Sequence, residues 1–479
     1  METNNRAQRE RPAVASAGET AVPTVRLKMR LALTERARCK PLGLSPGGEA
    51  GVPWLQPDVL LGYRFRAARW EYASMSEQTT CHKTYQEKLQ PTPAQERELE
   101  RVLWRCRTLY NTALEQRIFL WRQRGASTSR YQQEAELKAL RAELPEYEDI
   151  HSHVLQDVLT RLEKTYQAFF RRVQHGEKPG FPRFHGKDRY HSFTSKAYGN
   201  GARLENGALV LSKIGRLAVR WSRPVGGTIK TVTISKAADG WYVSFSCAEV
   251  PVEPLPLTGK ETGIDMGLKV FLITADGQPV ENPRHYRKAE RALKQAQQRV
   301  SRRKKGSHRR RKAVQVLAKQ HQHVRRQRRD FHHTTALALV RAYDTIYVEA
   351  IQPANVSRRP APKQDEHCTS VHNGASQKAG LNTSIHDAGW RHFLWILACK
   401  AACAGKRVDA VPPASTSQDC SGCGERIYKS LSVRTHVCTT CGLMLDRDLN
   451  AARNILWRGQ RLRGLPALAG GLNREPVGL

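Results

Sequence analysis

From Met75 onward, apolar residues recur with periods that switch between helix and strand, whereas the seventy-four residues before it sustain neither period. Thr84 to Leu89 reads as a short strand. Pro91-Thr92-Pro93 ends it ahead of a run in which Leu99, Leu103, Cys106 and Tyr110 return every three or four positions, the spacing of a helix with one buried face. Further helices are expected over Tyr131 to Leu144 and over Ile150 to Val173, where Val154, Val158, Leu162, Tyr166 and Phe169 or Phe170 mark one face. Between Ala208 and Cys247 the pattern becomes alternating, with A-L-V-L, R-L-A-V-R-W, T-V-T-I and W-Y-V-S-F-S separated by glycine-containing turns. A small barrel or sheet is expected there. Pro251 to Gly259 then reads as a linker and main boundary, followed by strand, strand, long basic helix, strand, helix, and a cysteine cluster with a short helix.

Charge changes the picture next. Lys and Arg number 79 against 44 Asp and Glu in 479 residues, a net of +35, and cations in such excess bind polyanions by releasing counterions from phosphates. A hydrophobic fraction of 39% excludes wholesale disorder. No run of eighteen apolar residues marks a membrane span, and the polar start lacks a secretory core, so a soluble, cytoplasmic protein is expected. Arg284 to Arg329 holds nineteen Lys and Arg in forty-six residues, with Glu290 the only acid. As one helix it would run about 69 Å, so a hairpin broken at Gly306-Ser307 is expected. Its candidate phosphate contacts are Arg302, Arg303, Lys304, Lys305, Arg309, Arg310, Arg325, Arg326, Arg328 and Arg329. The stretch G-E-K-P-G-F-P-R-F-H-G-K-D-R-Y interleaves aromatic and basic residues, a pattern shared by base-stacking segments and ordinary surface loops.

Two constellations carry candidate chemistry. C-S-G-C at Cys420 and Cys423 and C-T-T-C at Cys438 and Cys441 form two knuckles whose four thiolates complete a closed tetrahedral site, the pattern of one structural zinc ion. His436 reads as a surface residue, and Cys399 and Cys403, one helical turn apart, as core packing. The second constellation is acidic: Asp265 ends G-I-D-M-G, Glu349 ends D-T-I-Y-V-E, and Asp446 and Asp448 lie where a helix begins. Each alone reads as a cap or strand end. Together they form the carboxylate set needed to hold two Mg²⁺ ions about 4 Å apart for phosphodiester hydrolysis.

At these residues the chain resembles the TnpB proteins of bacterial insertion sequences, relatives of the type V CRISPR effector nucleases. G-I-D-M-G-L, I-Y-V-E-A and L-D-R-D-L-N-A-A-R-N-I resemble the family's three nuclease segments. L-N-T-S-I-H-D-A-G-W resembles its bridging helix, and P-P-A-S-T-S-Q-D-C-S-G-C-G its approach to the zinc ribbon. The resemblance implies an α/β multidomain protein with a split RNase H-like (RuvC) nuclease over 259–414 and 446–457. The inserted zinc ribbon would span 415–445, and Asp265, Glu349 and Asp448 would hold the metals, with Asp446 supporting or capping. It further implies a β-barrel from 75–92 and 176–250, interrupted by a helical recognition domain at 93–175, and a disordered tail at 458–479. Met75 resembles the family's usual start, so 1–74 is expected to be a poorly ordered extension from an upstream start codon. The activity implied is RNA-guided cleavage of double-stranded DNA, with a guide RNA from the transposon end. A decayed or regulatory nucleic-acid-binding protein, or a transposase acting directly in strand transfer, remain the alternatives.

Overall fold

The computed structural model describes residues 80–186, 189–351, 356–364, 370–371, 373–430 and 432–464; the expected extension at 1–74 lies outside them. Strand β1 (Thr80–Gln90) is longer than its apolar letters suggest, because alternation continues through Tyr85, Glu87 and Leu89, all buried. Glu87 is tolerated inside because it accepts from the Ser222 amide at 3.0 Å and the Ser222 hydroxyl at 2.8 Å.

Helix α1 (Pro93–Arg124) starts where the sequence places it. Thr92 accepts from the Gln95 amide, the Gln95 side chain accepts from the Thr92 amide, and Pro93 occupies the first turn. Helices α2 (Arg130–Glu143), α3 (Pro145–Glu148) and α4 (Ser152–Gln174) follow, and Ser129 with Gln132 repeats the reciprocal cap at α2. Leu99, Cys106 and Leu114 of α1 meet Leu155, Leu159 and Leu162 of α4 in a core continuous with Trp241 and Phe245.

Those two aromatics belong to a seven-stranded antiparallel sheet. Its strands are β1, β2 (Ser192–Ser195), β3 (Ala202–Glu205), β4 (Ala208–Leu211), β5 (Gly215–Arg220), β6 (Thr228–Ala237) and β7 (Gly240–Pro251). The order is β2-β6-β7-β1-β5-β4-β3. Among the described residues β2 and β3 do not pair, so hydrogen bonding makes an open sheet where a barrel was expected. The Lys196–Gly201 turn between them is held elsewhere: Asn200 hydrogen-bonds His151 at 3.0 Å, and a Cβ on Gly201 would stand 2.7 Å from the His151 ring.

The second half is a five-stranded sheet ordered β10-β9-β8-β11-β14, built from β8 (Glu261–Met266), β9 (Val270–Thr274), β10 (Pro279–Glu281), β11 (Thr345–Glu349) and β14 (Arg407–Val411). β8, β11 and β14 are mutually parallel, and β9 and β10 complete an antiparallel edge. The basic segment is the expected hairpin, α5 (His285–Ser301) and α6 (His308–Ala342), turning at Gly306 (φ 84°) with Ser307 capping α6. Two short strands, β12 (Lys363–Gln364) and β13 (Ser370–Val371), pair with each other before α7 (Ala375–Ala388) and α8 (Trp390–Cys403). Asp387 of α7, 7% exposed, accepts from the Tyr286 amide at 3.0 Å and from Arg328 at 2.9 Å, fixing both helices of the hairpin to one carboxylate.

The linker is tied down at its end. Asp344 accepts from the Thr258 and Gly259 amides and pairs with buried Lys406; burial alone would raise its pKa, but these donors hold it at about 2. Across the two halves, Asp239 in the β6–β7 turn accepts from Arg326 at 2.9 Å and 3.1 Å and from Gln322 at 2.7 Å.

The chain ends with a hairpin of β15 (Thr435–Val437) and β16 (Met444–Asp446) and with α9 (Arg447–Leu462). Helix α9 runs past the expected limit at 457, and residues 458–464 belong to the fold. Arg463 donates to Glu261 at 2.7 Å and Tyr347 at 3.0 Å. Letters such as R-G-Q-R-L-R-G read as tail, yet Gly459 is what lets the helix approach: a Cβ there would fall 2.0 Å from the Tyr347 ring. Gly263 does the same from the sheet side, where a Cβ would meet the Ala452 carbonyl at 2.3 Å.

Candidate metal centre and carboxylate site

The four cysteines converge. Cys420 and Cys441 lie 3.6 Å apart sulfur to sulfur, Cys423 and Cys438 3.5 Å, and all four Sγ atoms within 4.8 Å of one another. Tetrahedral zinc with Zn–S bonds of about 2.3 Å separates its sulfurs by about 3.8 Å, so the cluster fits zinc. Each knuckle closes through a glycine amide, Gly424 to Cys420 O at 2.9 Å and Gly442 to Cys438 O at 3.0 Å, with φ of 89° and 71°. His436 is fully buried, not on the surface, because the period-two alternation of β15 turns Thr435 and Val437 outward and His436 inward, against Lys429.

The carboxylates assemble from three elements. The last pair in the parallel β8–β11 register is Ile264 with Val348, so Asp265 and Glu349 stand level on neighbouring strands and face the same side. Asp448 comes from the first turn of α9. Asp446 is the N-cap and accepts from the Asp448 amide at 2.8 Å. Gly263 sets α9 on the backbone of β8 and Gly459 sets it on the Tyr347 ring of β11, which brings Asp448 Oδ2 to 3.8 Å from where a side chain on Gly267 would begin.

Burial pushes Asp265 up to about 8, with the Glu349 and Asp448 charges adding to the rise and Arg447 and Arg434 opposing it. Glu349 is also raised by burial, offset by the Thr416 hydroxyl that donates to it and by Arg458. Arg434 pairs with Asp448, and Arg447 Nε lies 3.8 Å from it. Unlike the thiols, the three carboxylates interact without converging on one point: among the described residues the cysteines are the group whose ligand atoms do so.

Sequence reasoning missed Thr416, Arg434, Arg447 and Arg458. None sits in a periodic position, and only the folded ribbon brings Thr416 and Arg434 to the acids. The ribbon root is held by two buried asparagines of α9. Asn450 accepts from the Ser421 amide at 2.8 Å and donates to Asp419 O at 2.8 Å, while Asn454 donates to Thr416 O at 2.8 Å.

The basic candidates divide. Arg302, Arg303, Lys304, Lys305, Arg309, Arg325 and Arg329 are exposed. Arg310 instead braces the hairpin turn through Val300 O at 2.6 Å, Arg326 joins the Asp239 clamp, and Arg328 binds Asp387. A cleft of about 3450 Å³ runs between the two halves, lined by Lys83, Arg107, Arg223, Arg325, Arg329 and Lys400 together with Trp104, Trp395 and Glu349. Cys399 is exposed on this cleft, and Cys403 is half-buried with its sulfur 3.3 Å from that of Cys81; neither is core packing, because their stripe of α8 faces away from the sheet.

Comparison with known proteins gives the family of the chain. A model described as the OrfB "Probable transposase" of IS605 matches residues 244–359, a Cas12f1-like TNB domain model matches 390–455, and an OrfB helix-turn-helix model matches 79–126. In this structure that last segment is strand β1 followed by the single helix α1. A "Putative RNA-guided DNA endonuclease" of Streptomyces pristinaespiralis is 33% identical over 378 residues, covering 77% of this chain and 87% of the relative. The Escherichia coli (strain K12) protein of the same description, InsQ, is 30% identical over 380 residues, covering 78% and 90%. A solved Cas12f1–sgRNA–target DNA complex aligns over 79% of this chain and 99% of that one, with 10% identity and a TM-score of 0.49. The class is that of proteins encoded by insertion sequences. The chain belongs to the OrfB family of IS605-type elements, the TnpB family.

Proposed function

We propose that this protein is an RNA-guided DNA endonuclease that hydrolyses phosphodiester bonds at Asp265, Glu349 and Asp448, with a guide RNA from the transposon end and double-stranded DNA as partners. The observation that carries the reading is the position of the three acids. Residues from β8, β11 and α9, far apart in sequence, crowd until burial and mutual repulsion hold Asp265 at about 8. Acids so arranged are stabilised by divalent cations, and the oxygen-only donor set suits Mg²⁺. Two Mg²⁺ ions, when bound there, would activate water and stabilise the leaving oxygen. The strand order β10-β9-β8-β11-β14, with acids at the ends of adjacent parallel strands, supports an RNase H-like (RuvC) nuclease fold.

The chain's own residues do the rest. Thr416 orients the Glu349 carboxylate, and Arg434 and Arg447 balance Asp448, fixing that carboxylate over the end of β8. The zinc ribbon keeps Thr416 and Arg434 in place. The exposed cations of the α5–α6 hairpin and the cleft would track phosphates, leaving sequence choice to base pairing. Relatives described as RNA-guided DNA endonucleases, aligned over most of their length, support the same reading.

The test is cleavage of a matching plasmid by protein purified with its element end. Asp265→Ala should abolish cutting and retain the bound RNA; cutting in Mg²⁺ by that variant would sink the assignment.

A further inference from the structure

Helix α8 buries Trp390, Phe393, Ile396 and Leu397 against the sheet, yet turns His392 and Trp395 outward, the indole 58% exposed. One exposed indole on a surface needs no explanation. Three observations set this one apart. It lies on the wall of the cleft onto which Glu349 also opens. It is stacked on His392, with ring centroids 6.1 Å apart and planes inclined by 14°. Arg329, Arg391 and Lys400 line the same cleft, so cations flank an aromatic surface. The His392 imidazole is held below its ordinary pKa by burial and by Arg329 and Arg328, which leaves it neutral and able to back the indole near pH 7. Trp104, on the other half of the protein, is less suited: the Arg105 guanidinium already lies 4.5 Å from its ring centroid.

Connectivity fixes the end of the sheet near which Trp395 lies. Helix α8 returns to β14 through the three residues Ala404 to Lys406 and so runs antiparallel to it. Its first turns therefore lie toward the strand ends that carry Glu349, against the face presented by Ile346 and Val348, and a strand reaching the acids, which share the Tyr347 face, would pass over those ends. A strand unpaired beside the site can bring one phosphodiester to the half-buried Asp265, and its freed bases then need a surface.

We propose that Trp395, backed by His392, is a stacking platform for an unpaired base of the DNA strand led to the carboxylate site. This rests on the nuclease reading and adds to it a residue that holds the strand. Stacking accepts any base, as base-pair-directed recognition requires, and the neighbouring cations would take the phosphates on either side.

The experiment uses the full chain in EDTA with a labelled oligodeoxythymidine, an oligouridine of equal length and an abasic strand, over a range of potassium chloride concentrations. Trp395→Ala should weaken oligodeoxythymidine binding by about 5- to 150-fold, with the slope of log K against log salt unchanged because no ion pair is lost. Trp395→Phe should keep most of the affinity, and the abasic strand should bind wild type and Trp395→Ala alike. Unchanged DNA affinity in Trp395→Ala overturns the proposal, as does an equal loss on the abasic strand or a loss confined to oligouridine. Wild type that binds none of the strands also overturns the platform, while the nuclease reading is judged separately by plasmid cutting with the co-purified RNA; if wild type cuts while Trp395→Ala binds DNA as wild type does, only the platform falls.

Discussion

Replacing Asp265 with asparagine should stabilise the metal-free protein at alkaline pH, an outcome that does not depend on any activity. In the folded chain its carboxyl titrates at about 8, against 3.8 for an ordinary aspartate, because burial and the Glu349 and Asp448 charges disfavour its ionised form. Between those two values the folded protein holds a proton that the unfolded chain has released, so stability falls as pH rises through that window. At ~1.4 kcal/mol per pH unit, full ionisation corresponds to ~6 kcal/mol. Movement of Arg434 and Arg447 toward the site and water entry would absorb part of this, leaving an expected ~2–3 kcal/mol at pH 8. Asparagine keeps the shape and removes the charge. Urea unfolding in EDTA should therefore find Asp265→Asn more stable than wild type by that margin at pH 8 and by under ~0.5 kcal/mol near pH 4, where wild-type Asp265 is neutral in the folded state. Added Mg²⁺ should raise the stability of wild type and leave the variant nearly unmoved. Equal stability of the two proteins at pH 8, or a gap that does not close on acidification, would refute the electrostatic argument.

Zinc analysis should find one ion per chain, and Cys438→Ser should lose it, expose 415–445 to protease and stop cleavage; unchanged zinc content in that variant would contradict the site. Gly459→Ala should cost about 3 kcal/mol or more in urea unfolding, since its Cβ would fall 2.0 Å from the Tyr347 ring, and Tyr347→Ala in the same chain should recover part of the loss. Asp239 is held well below the usual carboxylate range because hydrogen bonds from Arg326, Tyr242 and Gln322 outweigh its burial. Its contribution is therefore present above pH ~4 and lost as pH falls, so Asp239→Ala should cost ~2 kcal/mol at pH 7 and almost nothing at strongly acid pH, read by thermal unfolding across pH.

Much of the fold was legible where local chemistry decides it. Pro91-Thr92-Pro93 separates the first strand from its helix, and the Gly306-Ser307 pair breaks the basic hairpin where two helices must turn. The cysteine spacing likewise contains its own geometry. What stayed hidden depends on contacts between distant segments. Helix α9 extends to Leu462 because Tyr347, over a hundred residues earlier, offers a flat ring to Gly459. His436 points inward because of strand register, which a short polar segment does not reveal. Arg310, Arg326 and Arg328 are indistinguishable in sequence from their exposed neighbours, and only the positions of Val300 O, Asp239 and Asp387 show that they are already engaged.

The close seat of α9 on β8 and β11 bears on how this protein tolerates change. Because Gly263 lets α9 rest on the backbone of β8 and Gly459 lets it rest on the Tyr347 ring of β11, the helix that carries Asp448 sits directly on the two strands that carry Asp265 and Glu349. The 182 residues between the two acids include β11 and its Tyr347, which belong to that seat, but also the basic hairpin and the ribbon, which supply none of the atoms nearest either glycine and so can lengthen, shorten or be exchanged as modules without disturbing it. Two hydrogen atoms in place of two methyl groups are what let the last helix close on strands that come from much earlier in the chain.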